Sequence, residues 1–467
     1  MRDGAHRAML QKSSWQPRLA PSEGPPADRL IEALAADISD GKIEPGERLP
    51  AYRDLAYRLE IGLGSVTKAF SVLERRGLVE TVRGRGTFVA AGRTCRDPSI
   101  DLSVNTPPKV LSERILARTM VTIVRKIDPD LLSSYSPPGG YDEHRQVMAR
   151  WLADLGVSVE IDRLLLCGGA QQALKVAFSV ACPPDGVILT EALSYPGAIR
   201  LARHAGYRLA PIEMDCEGIL PHSLDRALRL HRDQCQGRVL YVTPTMQNPT
   251  TSTMSYDRRI EIVRLARKYD ILIIEDDVYS ISASTDLPAL AVLAPERTFY
   301  VNSLSKTLCP GLRMGVLVPP AHFVRRAEMI CGISSLTAPP LSGAVLTEWL
   351  SDGTAKSIRE GIENEARRRV ALARSVIGAE LRTPDYSGFH AWLPMSVDQS
   401  EMVRNAVLQA GIVVTPFDAM SVDLNATSGG IRLCLGGPAF SDLSSALNVV
   451  AAAMKSSGSG AHLPPVP

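Results

Sequence analysis

A short stretch, SLSKTLCPGLRMG at 303–315, combines residue types that could do covalent chemistry. Lys306 follows a predicted buried strand and comes seven residues before a second cation, Arg313. A partly desolvated lysine beside another cation has a lowered pKa and can act as an amine nucleophile that forms a Schiff base. Ser303, Ser305 and Arg313 suit a phosphate, arginine because its planar guanidinium binds oxygens bidentately. Taken alone, the motif also fits a surface lysine in a connection after a strand.

Three further segments carry polar groups that suit a phosphate-bearing cofactor. CGGAQQALKVAF places a Gly-Gly turn before a helix, whose free N–H groups at Gly169, Ala170 and Gln171 can bind a phosphate. YVTPTMQNPT and ILIIEDDVYS end predicted strands with polar side chains, namely Asn248, Glu275, Asp276, Asp277 and Tyr279. The carboxylates could equally be metal ligands, but no histidine accompanies them in this stretch. Open α/β sheets bind their ligands at the carboxyl ends of the strands, where all these groups are predicted to lie.

The elements that must position these groups alternate between strand and helix from residue 100 onward. RLLLCGG, GVILT, RVLYVTP, ILIIE, TFYVNS and GVLVPP predict buried strands, several of them followed by segments with helical periodicity. Continuous apolar strands that alternate with helices predict a mostly parallel, doubly wound sheet. After Pro340, a long helical stretch leads to shorter strands at 389–393, 412–414 and 431–435, which predicts a small C-terminal α+β subdomain.

The stretch from residue 28 to 90 has a different pattern. Helices are predicted at 27–41, 53–59 and 65–76, and LVETVRGRGTFVA predicts two strands around a glycine-rich tip. Three helices and a hairpin make a winged helix-turn-helix, which places its third helix in the DNA major groove. The residues expected to contact DNA are Arg53, Gly64, Ser65, Thr67, Lys68, Arg83 and Arg85. The alternative is a surface-charged module for protein contacts, since the stretch has ten Lys/Arg and ten Asp/Glu.

Composition limits the remaining classes. The chain has 467 residues, 45% of them hydrophobic and 22% charged, with a net charge of +2, which is ordinary for a multidomain globular protein. No apolar run approaches the roughly 18 residues of a membrane helix, and the N-terminus lacks the apolar region of a secretory signal. Eight cysteines without a CxxC pair argue against a zinc site or a disulfide framework, and for a reducing cytosol.

Five segments follow from these patterns. We expect a flexible tail at 1–27, a winged-helix domain at 28–90, a linker at 91–99, an α/β domain at 100–453 and a disordered tail at 454–467. The two tails are rich in proline, glycine or polar residues, which favours disorder.

The N-terminal domain resembles the winged helix of the GntR family of bacterial regulators. The matching segments are GKIEPGERLPAYRDLAYRL, VTKAFSVLERRGLVE and GRGTFV, and they cover the whole domain. The resemblance implies binding to operator DNA. It does not extend to the operator sequence, because family members often have arginine early in the recognition helix, where this chain has Leu63.

The segments from about residue 101 to 453 resemble the fold-type I enzymes that use pyridoxal 5'-phosphate, in the class I/II aminotransferase group, and they come in that family's order. The resemblance implies that Lys306 holds the cofactor as an internal aldimine and that Asp276 pairs with its pyridine nitrogen. It assigns Tyr279 and Asn248 to hydrogen bonds with the phenolic oxygen of the cofactor. Tyr195 of ALSYPG would stack on the ring; otherwise it is a core aromatic residue before a turn.

The same resemblance assigns the phosphate to Gly169, Ala170, Gln171, Ser303, Ser305 and Arg313. Tyr135 of LLSSYSPPGG matches a tyrosine that reaches the phosphate of the partner subunit, which implies a homodimer. Arg432 of GGIRLCL matches the arginine that binds a substrate carboxylate. A lone arginine on a strand would otherwise be a surface residue in an ion pair.

A GntR winged helix joined to an aminotransferase-like domain is the architecture of the MocR/GabR group of bacterial regulators. In that group an amino compound displaces the lysine to form an external aldimine, and the change of conformation repositions the DNA-binding modules. The resemblance implies a cytoplasmic regulator of amino-compound or vitamin B6 genes, nucleoid-associated when bound to DNA, whose effector carries a carboxylate. A working aminotransferase with a DNA-binding domain stays open as the alternative. A scaffold with an inactive cofactor fold is disfavoured, because Lys306, Asp276 and Arg313 are all present.

Overall fold

The computed structural model of the protein describes residues 15–21, 24–39, 42–43, 46–75, 78–82, 86–89, 99–231, 237–279, 287–335, 337–383, 388–423 and 426–457. The chain divides into two compact units, Met1–Pro98 and Ser99–Pro467. Each unit has its own hydrophobic core. Within the described ranges, no helix is both long enough and apolar enough to cross a membrane.

The described residues of the N-terminal unit form three helices and one hairpin. They are α1 (Pro26–Ser39), α2 (Tyr52–Arg58), α3 (Leu63–Arg75), β1 (Val79–Val82) and β2 (Gly86–Val89). The two strands pair antiparallel along their whole length. Apolar side chains at helical spacing on α3, Val66, Ala69, Phe70 and Leu73, are buried in a core that α1 also lines. The predicted winged-helix fold is confirmed.

Residues 15–20 pack against α1, which corrects the prediction of a flexible tail at 1–27. Trp15 is only 6% exposed, and its indole Nε1 donates a hydrogen bond to Asp37 Oδ2 at 3.0 Å. Arg18 donates to both oxygens of the same carboxylate, at 3.1 Å and 2.5 Å. The bonds from Arg18 hold the pKa of Asp37 well below its usual range, although burial opposes them. Composition predicts disorder here, but a buried and hydrogen-bonded indole outweighs it. Residues 1–14 lie outside the described ranges.

Strands and helices alternate along the larger unit. Its strands are β3 (Ile100–Asp101), β4 (Leu165–Cys167), β5 (Val187–Glu191), β6 (Arg208–Ile212), β7 (Met214–Asp215), β8 (Gly218–Ile219), β9 (Arg238–Val242), β10 (Leu272–Asp276), β11 (Thr298–Ser303), β12 (Gly315–Val318), β13 (His390–Ser396), β14 (Ile412–Val413) and β15 (Ser428–Cys434). Its helices are α4 (Glu113–Lys126), α5 (Asp130–Ser133), α6 (Asp142–Ala153), α7 (Ala170–Ala181), α8 (Pro196–His204), α9 (Pro221–Leu230), α10 (Tyr256–Lys268), α11 (Leu290–Leu293), α12 (Val324–Ser334), α13 (Pro340–Ser351), α14 (Thr354–Ile377), α15 (Val397–Gln409) and α16 (Phe440–Ser457).

Seven of these strands form one sheet in the order β4-β12-β11-β10-β9-β5-β6. Strands β11, β10, β9, β5 and β6 run parallel, whereas β12 runs antiparallel to both β11 and β4. Every residue of β5 and β11 is buried, as expected for parallel strands covered by helices on both faces. The predicted mostly parallel, doubly wound sheet is confirmed. The edge strand β6 is not among the predicted strands, since its sequence, RLAPI, mixes exposed and buried positions and contains a proline.

The carboxyl ends of the parallel strands place the predicted polar residues at one edge of the sheet. Strand β10 ends at Asp276 and β11 at Ser303, three residues before Lys306. Strand β4 leads through a Gly-Gly turn into α7, whose first residue is Ala170. Helix α7 packs against β10, β11 and β12, so its N-terminus is fixed at the same edge.

The smaller C-terminal part of this unit packs α14, α15 and α16 with the antiparallel pair β13 and β15. The first strand of the unit, β3, joins this part by pairing parallel with β14. The predicted α+β subdomain is therefore confirmed. Helix α16 continues to Ser457, four residues beyond the predicted end of the domain, because its apolar face stays packed, with Val450 buried and Ala453 and Met454 against the same core. Residues 458–467 lie outside the described ranges.

Candidate functional site

A cavity of about 750 Å³ opens at the carboxyl edge of the seven-stranded sheet. It brings together most of the residues that the sequence analysis assigned to a cofactor or an effector. These are Ala170, Gln171, Tyr195, Asn248, Asp276, Tyr279, Ser303, Ser305, Lys306, Arg313 and Arg432. Their side chains can therefore contact one ligand together.

Lys306 lies in the turn after β11 and lines the cavity. Its Nζ donates a hydrogen bond to the carbonyl oxygen of Asn105 and lies 5.8 Å from the centre of the Tyr279 ring. Burial, the largest effect, lowers the pKa of Lys306 from 10.5 to about 8, because a buried ammonium loses its hydration. The charge of nearby Arg432 acts in the same direction. A lysine with this pKa has an appreciable neutral, nucleophilic fraction near neutral pH.

Asp276 ends β10 with a carboxylate that is only 3% exposed. Its Oδ2 accepts a hydrogen bond from the Tyr241 hydroxyl at 2.9 Å, whereas Oδ1 has no partner among the described residues. Burial raises the pKa of Asp276 to about 6, since the charged form is the one that loses hydration. An unpaired buried acceptor is costly, so Oδ1 is ready to accept an N–H group from a ligand.

The two carboxylates that flank Asp276 have partners of their own. Glu275 accepts hydrogen bonds from two backbone N–H groups at the start of α11, both at 2.8 Å. Asp277 Oδ2 accepts a bond from the Tyr300 hydroxyl at 2.8 Å. Side chains alternate along a strand, so Glu275 and Asp276 leave opposite faces of β10. The three do not form one ligand set, and the described ranges hold no cluster of three His, Cys, Asp or Glu suited to a metal.

The turn between β4 and α7 forms a cradle for a phosphate. Gly169 caps the N-terminus of α7 with a φ of +94°, a conformation that favours glycine. A Cβ atom at this position would lie 2.7 Å from Nη2 of Arg313, which itself donates to the carbonyl oxygen of Gly168 at 3.1 Å. The hydroxyls of Ser303 and Ser305 lie 2.9 Å apart and line the same cavity. A helix N-terminus, a guanidinium and two hydroxyls are the donors that a phosphate accepts from.

Arg432 projects from β15 and is only 5% exposed. Its Nη1 donates to Asn248 Oδ1 at 2.7 Å, and its Nη2 donates to the Ser103 carbonyl oxygen at 2.6 Å and to Thr415 Oγ1 at 2.8 Å. Its Nε has no partner within the part of the chain that the structure describes. All three partners are neutral, so the positive charge is uncompensated at this point. Arg432 is thus not a surface ion-pair residue, and it can bind a carboxylate from the cavity.

Two tyrosines face the cavity with fixed hydroxyl groups. The Tyr279 hydroxyl accepts hydrogen bonds from Asn105 Nδ2 at 2.9 Å and from Asn248 Nδ2 at 3.3 Å. Because both neighbours donate, this hydroxyl keeps its own proton to donate to a ligand, and burial raises its pKa. Tyr195 lies at the start of α8 and donates to Gln171 Oε1 at 3.2 Å. Both side chains therefore stay neutral at physiological pH.

Sequence reasoning missed several residues that complete the site. His390 is fully buried, its ring centre lies 5.2 Å from that of Tyr279, and burial lowers its pKa to about 3, so that it is neutral. Asn105 contacts both Tyr279 and Lys306 although it is 174 positions from Tyr279 in the sequence. No motif marks these residues. The only signal for Asn105 is the segment SVNTPP at 103–108, which follows β3 after Leu102.

Tyr135 lies apart from the other predicted cofactor residues. It follows α5, is 93% exposed and is not among the residues that line the cavity. Its predicted contact is with the phosphate of a partner subunit, so it stays a prediction.

The start of α3 is open to solvent in the N-terminal unit. Gly64, Thr67 and Lys68 are exposed and Ser65 is half-buried. Thr67 Oγ1 donates to the Leu63 carbonyl oxygen at 3.0 Å, within the first turn of the helix. The remaining predicted residue of the helical part, Arg53 on α2, is also exposed. The predicted wing residues, Arg83 and Arg85, lie outside the described ranges.

Residues 97–447, three quarters of the chain, match the family described as aminotransferase class I and II. The chain belongs to this family. Residues 26–89 match the family described as bacterial regulatory proteins, gntR family. This second match covers the helices and the hairpin of the N-terminal unit. The predicted combination of a GntR-type winged helix and an aminotransferase domain is confirmed.

Relatives of this aminotransferase-family chain include proteins named as transcriptional regulators. The uncharacterized HTH-type transcriptional regulator YdeF of Bacillus subtilis (strain 168) is 27% identical, over 81% of this chain and 83% of its own length. The HTH-type pyridoxine biosynthesis transcriptional regulator PdxR of Corynebacterium glutamicum is 25% identical, over 83% and 87%. The alignments span most of both proteins in each case.

Solved aminotransferases share the fold of the larger unit. An archaeal alanine:glyoxylate aminotransferase superposes with a TM-score of 0.69 at 23% identity, over 84% of this chain and 95% of its own. The Pyrococcus horikoshii kynurenine aminotransferase, whose structure contains PMP, gives a TM-score of 0.70 at 22% identity, over 78% and 93%. At this identity the likeness establishes the fold.

The residues of the cavity fit pyridoxal 5'-phosphate, the cofactor that this family implies. The unpaired Oδ1 of Asp276 suits a protonated pyridine nitrogen, and the cradle at Gly169 and Arg313 suits a phosphate. The amine of Lys306 lines the same cavity and suits an aldehyde. Three different groups of one molecule thus find matching chemistry in one place.

Proposed function

We propose that the protein is a DNA-binding transcriptional regulator that holds pyridoxal 5'-phosphate at Lys306 and responds to an amino compound. One observation carries this proposal. A unit that matches the gntR regulators and a cavity with an amine, an unpaired carboxylate oxygen and a phosphate cradle occur in one chain. The relatives named as HTH-type transcriptional regulators support it, and one of them is named for pyridoxine biosynthesis. By this likeness, we assign the target genes to amino-compound or vitamin B6 metabolism.

Each part of the cofactor has residues to hold it. Lys306 would take the aldehyde, Asp276 the pyridine nitrogen, and Tyr279 with Asn248 the phenolic oxygen, while Tyr195 would cover the ring. The phosphate would be held by Gly169, Ala170, Gln171, Ser303, Ser305 and Arg313, with Tyr135 from a partner subunit. When bound, pyridoxal phosphate supplies an aldehyde carbon that condenses reversibly with primary amines and a ring that acts as an electron sink.

Lys306 and the effector amine compete for the same carbon. With a pKa of about 8, Lys306 is neutral often enough to bind an aldehyde near pH 7, and it is a weaker base than an ordinary lysine. An effector amine competes better with Lys306 if the same molecule carries a carboxylate that Arg432 can bind. Arg432 is available for this, because its Nε–H is unpaired among the described residues and its hydrogen-bond partners are neutral. The effector is therefore a primary amine that also carries a carboxylate.

Effector binding changes DNA affinity only if the effector binds two conformations of the protein unequally. Coupling free energies between sites are commonly about 1–3 kcal/mol, which corresponds to roughly 5- to 150-fold in affinity. We therefore expect the right amino compound to change operator affinity by a factor in this range.

We also propose that the protein is a homodimer. Tyr135 is 93% exposed and does not line the cavity of its own chain, so we assign it to the phosphate site of a partner subunit. Leu132, three residues before Tyr135, is a large apolar side chain that is 60% exposed. Two winged helices would then read a two-part operator in the cytoplasm, with the protein on the nucleoid.

An active aminotransferase that carries a DNA-binding domain is the second candidate. It is favoured by the presence of Lys306, Asp276 and Arg313 in one cavity and by a relative named aromatic-amino-acid aminotransferase 1, from Thermococcus litoralis, which is 28% identical over 61% of this chain. A transaminase must release a keto product and accept a second keto acid in every cycle. A regulator needs only a long-lived complex with its effector, so turnover separates the two.

A titration with three readouts tests the proposal. Purified protein is titrated with a panel of amines and amino acids, while cofactor absorbance, keto product and affinity for a DNA site selected from a random pool are measured. We expect one ligand to change absorbance and DNA affinity together, with little keto product per cofactor, and Lys306→Ala to lose both responses. Turnover at about 1–1000 per second with 2-oxoglutarate, without effect on DNA binding, would overturn the regulator in favour of the enzyme.

A further inference from the structure

The segment Ile100–Asn105 connects the start of the larger unit to the cavity. Its strand β3 pairs with β14, and Leu102 continues this attachment by donating to the Val413 carbonyl oxygen at 2.8 Å. Beyond Leu102, the main chain reaches the cations of the site. The Ser103 carbonyl oxygen accepts from Arg432, and the Asn105 carbonyl oxygen accepts from Lys306. The lysine that we assign to the cofactor and the arginine that we assign to the effector therefore both hold main-chain oxygens of one short segment.

Asn105 is the residue of this segment that contacts Tyr279 and Lys306, which follow β10 and β11. It is 7% exposed, and its side-chain Nδ2 donates to the Tyr279 hydroxyl while its carbonyl oxygen accepts from Lys306. The chain just beyond it is fixed by close packing, since a Cβ atom at Gly436 would lie 2.0 Å from the Thr106 carbonyl oxygen. On the other side of Asn105, the Ser103 carbonyl oxygen accepts from Arg432 and Thr415, so Asn105 is joined through a short main-chain path to the start of the unit.

The bond from Lys306 to Asn105 depends on the state of the lysine. A free ammonium has three N–H donors. When the amine condenses with an aldehyde, the nitrogen forms a double bond to carbon, its two amine hydrogens leave with the aldehyde oxygen as water, and at most one proton remains on it. When another primary amine takes over that carbon, Nζ receives two hydrogens back. The Asn105 carbonyl oxygen thus has a full donor only while Lys306 is not bound to the cofactor.

We propose that Asn105 is a positioning residue. It couples the segment Ile100–Asn105 to whether Lys306 is free or bound to the cofactor. Its carbonyl oxygen receives the lysine when an amino compound frees it, and its side-chain amide keeps the Tyr279 hydroxyl oriented. This inference rests on the proposed function, and it adds the route by which effector binding reaches the first residues of the larger unit. Ser99, the first of them, directly follows the N-terminal unit in the sequence.

Hydrogen–deuterium exchange of the peptide 99–107 tests the inference. Full-length protein is compared without cofactor, with pyridoxal phosphate, and with pyridoxal phosphate plus aminooxyacetate, a general carbonyl reagent that frees the lysine. Exchange is expected to be roughly tenfold slower in the two samples where Lys306 is free than in the protein loaded with pyridoxal phosphate. A factor of this size corresponds to the loss of one hydrogen bond from a charged donor, here the bond from Lys306 to the Asn105 carbonyl oxygen. In Lys306→Ala, exchange should be fast in all three samples.

A second arm tests the side chain of Asn105. Asn105→Asp replaces the donor to Tyr279 by a carboxylate. The absorbance of the lysine-bound cofactor changes with pH, and the midpoint of that change should move up by about 1–3 pH units. Asn105→Ala should shift it less, and Lys109→Ala, an exposed neighbour, should not shift it. The other titratable or charged groups around Lys306 are the same in every variant, namely Asp276, Tyr279, Arg313, Arg432, Cys434 and His390.

The outcomes separate this inference from the proposed function. If aminooxyacetate displaces the cofactor from Lys306, as the absorbance shows, and exchange of 99–107 does not change, the inference is wrong while the cofactor site stands. The inference is equally wrong if Lys306→Ala responds like the wild type. A protein that shows no cofactor absorbance at all ends the proposed function itself. Circular dichroism of each variant confirms that it folds.

Discussion

The neutral fraction of Lys306 sets the pH dependence with which the protein captures pyridoxal phosphate. Only the neutral amine attacks an aldehyde, and burial lowers the pKa of Lys306 from 10.5 to about 8. At pH 7, a pKa of 8 leaves about 9% of the amine neutral, whereas a pKa of 10.5 would leave about 0.03%. The structure therefore provides about 300 times more nucleophile at pH 7 than an exposed lysine would.

Two substitutions move this pKa in opposite directions. The charge of Arg432 lowers the pKa of Lys306, so Arg432→Gln should raise it and move the onset of capture to higher pH. The charge of Asp276 raises the pKa of Lys306, so Asp276→Asn should lower it and move the onset to lower pH. Opposite shifts from two side chains of one cavity are hard to explain by a general loss of structure.

Stopped-flow absorbance measures the capture directly. Protein freed of cofactor is mixed with pyridoxal phosphate at pH values from about 6 to 10. Each rate is divided by the rate measured with a free lysine analogue, after that rate has been corrected for the ionisation of the analogue's amine. The division removes the effect of ionisation of the aldehyde itself. The ionisation of the Lys306 amine should raise the capture rate about tenfold from pH 6 to 7 and level it off above pH 8. Lys306→Ala should show no capture phase. A rate that keeps rising to pH 10 would refute the argument that burial activates this lysine.

Three further predictions concern other parts of the chain. Trp15→Ala should lower the stability of the N-terminal unit by about 3–5 kcal/mol, since it removes a buried indole and its bond to Asp37; thermal unfolding with DNA binding as a second readout checks this. Arg83→Ala should weaken DNA binding and flatten its salt dependence by about 0.9 in the log–log slope, whereas Lys68→Ala should change the preferred sequence in a selection from random DNA. Arg432→Ala should weaken the absorbance response to carboxylate-bearing amines by roughly 10- to 150-fold, and weaken the response to amines without a carboxylate much less.

The parts of the site that lie at strand ends could be predicted from the sequence. Lys306 and Asp276 follow continuous apolar runs, because their strands are buried on both faces of the sheet. The edge at which the strands end is fixed once the sheet is parallel, so strand ends far apart in the sequence are brought together by topology. Local pattern was therefore enough to place the amine, the carboxylates and the phosphate cradle at one edge of the sheet, whereas the separate roles of Lys306 and Asp276 came from the resemblance to the aminotransferase group.

The contacts that complete the site could not be predicted in this way. Asn105 and His390 reach Tyr279 from the two ends of the larger unit, and neither lies in a motif or on a periodic face. The burial of Trp15 likewise depends on a carboxylate 22 residues away. Such contacts depend on which elements pack together. The identity of a single residue carries no information about a partner that is distant in the sequence.

The choice between a regulator and an enzyme with a tethered DNA-binding domain is a question of coupling, because both need the same residues around Lys306. Coupling between two binding sites is reciprocal: if the effector changes DNA affinity by some factor, DNA changes effector affinity by the same factor. A merely tethered winged helix gives a factor of one, however well the cavity binds amines. The bonds from Lys306 and Arg432 to the main chain at 103–105 provide a physical reason for a larger factor, since both cations cannot serve the segment and the ligand fully at once. Measuring effector affinity with and without the operator therefore decides the question without any need to identify the target genes.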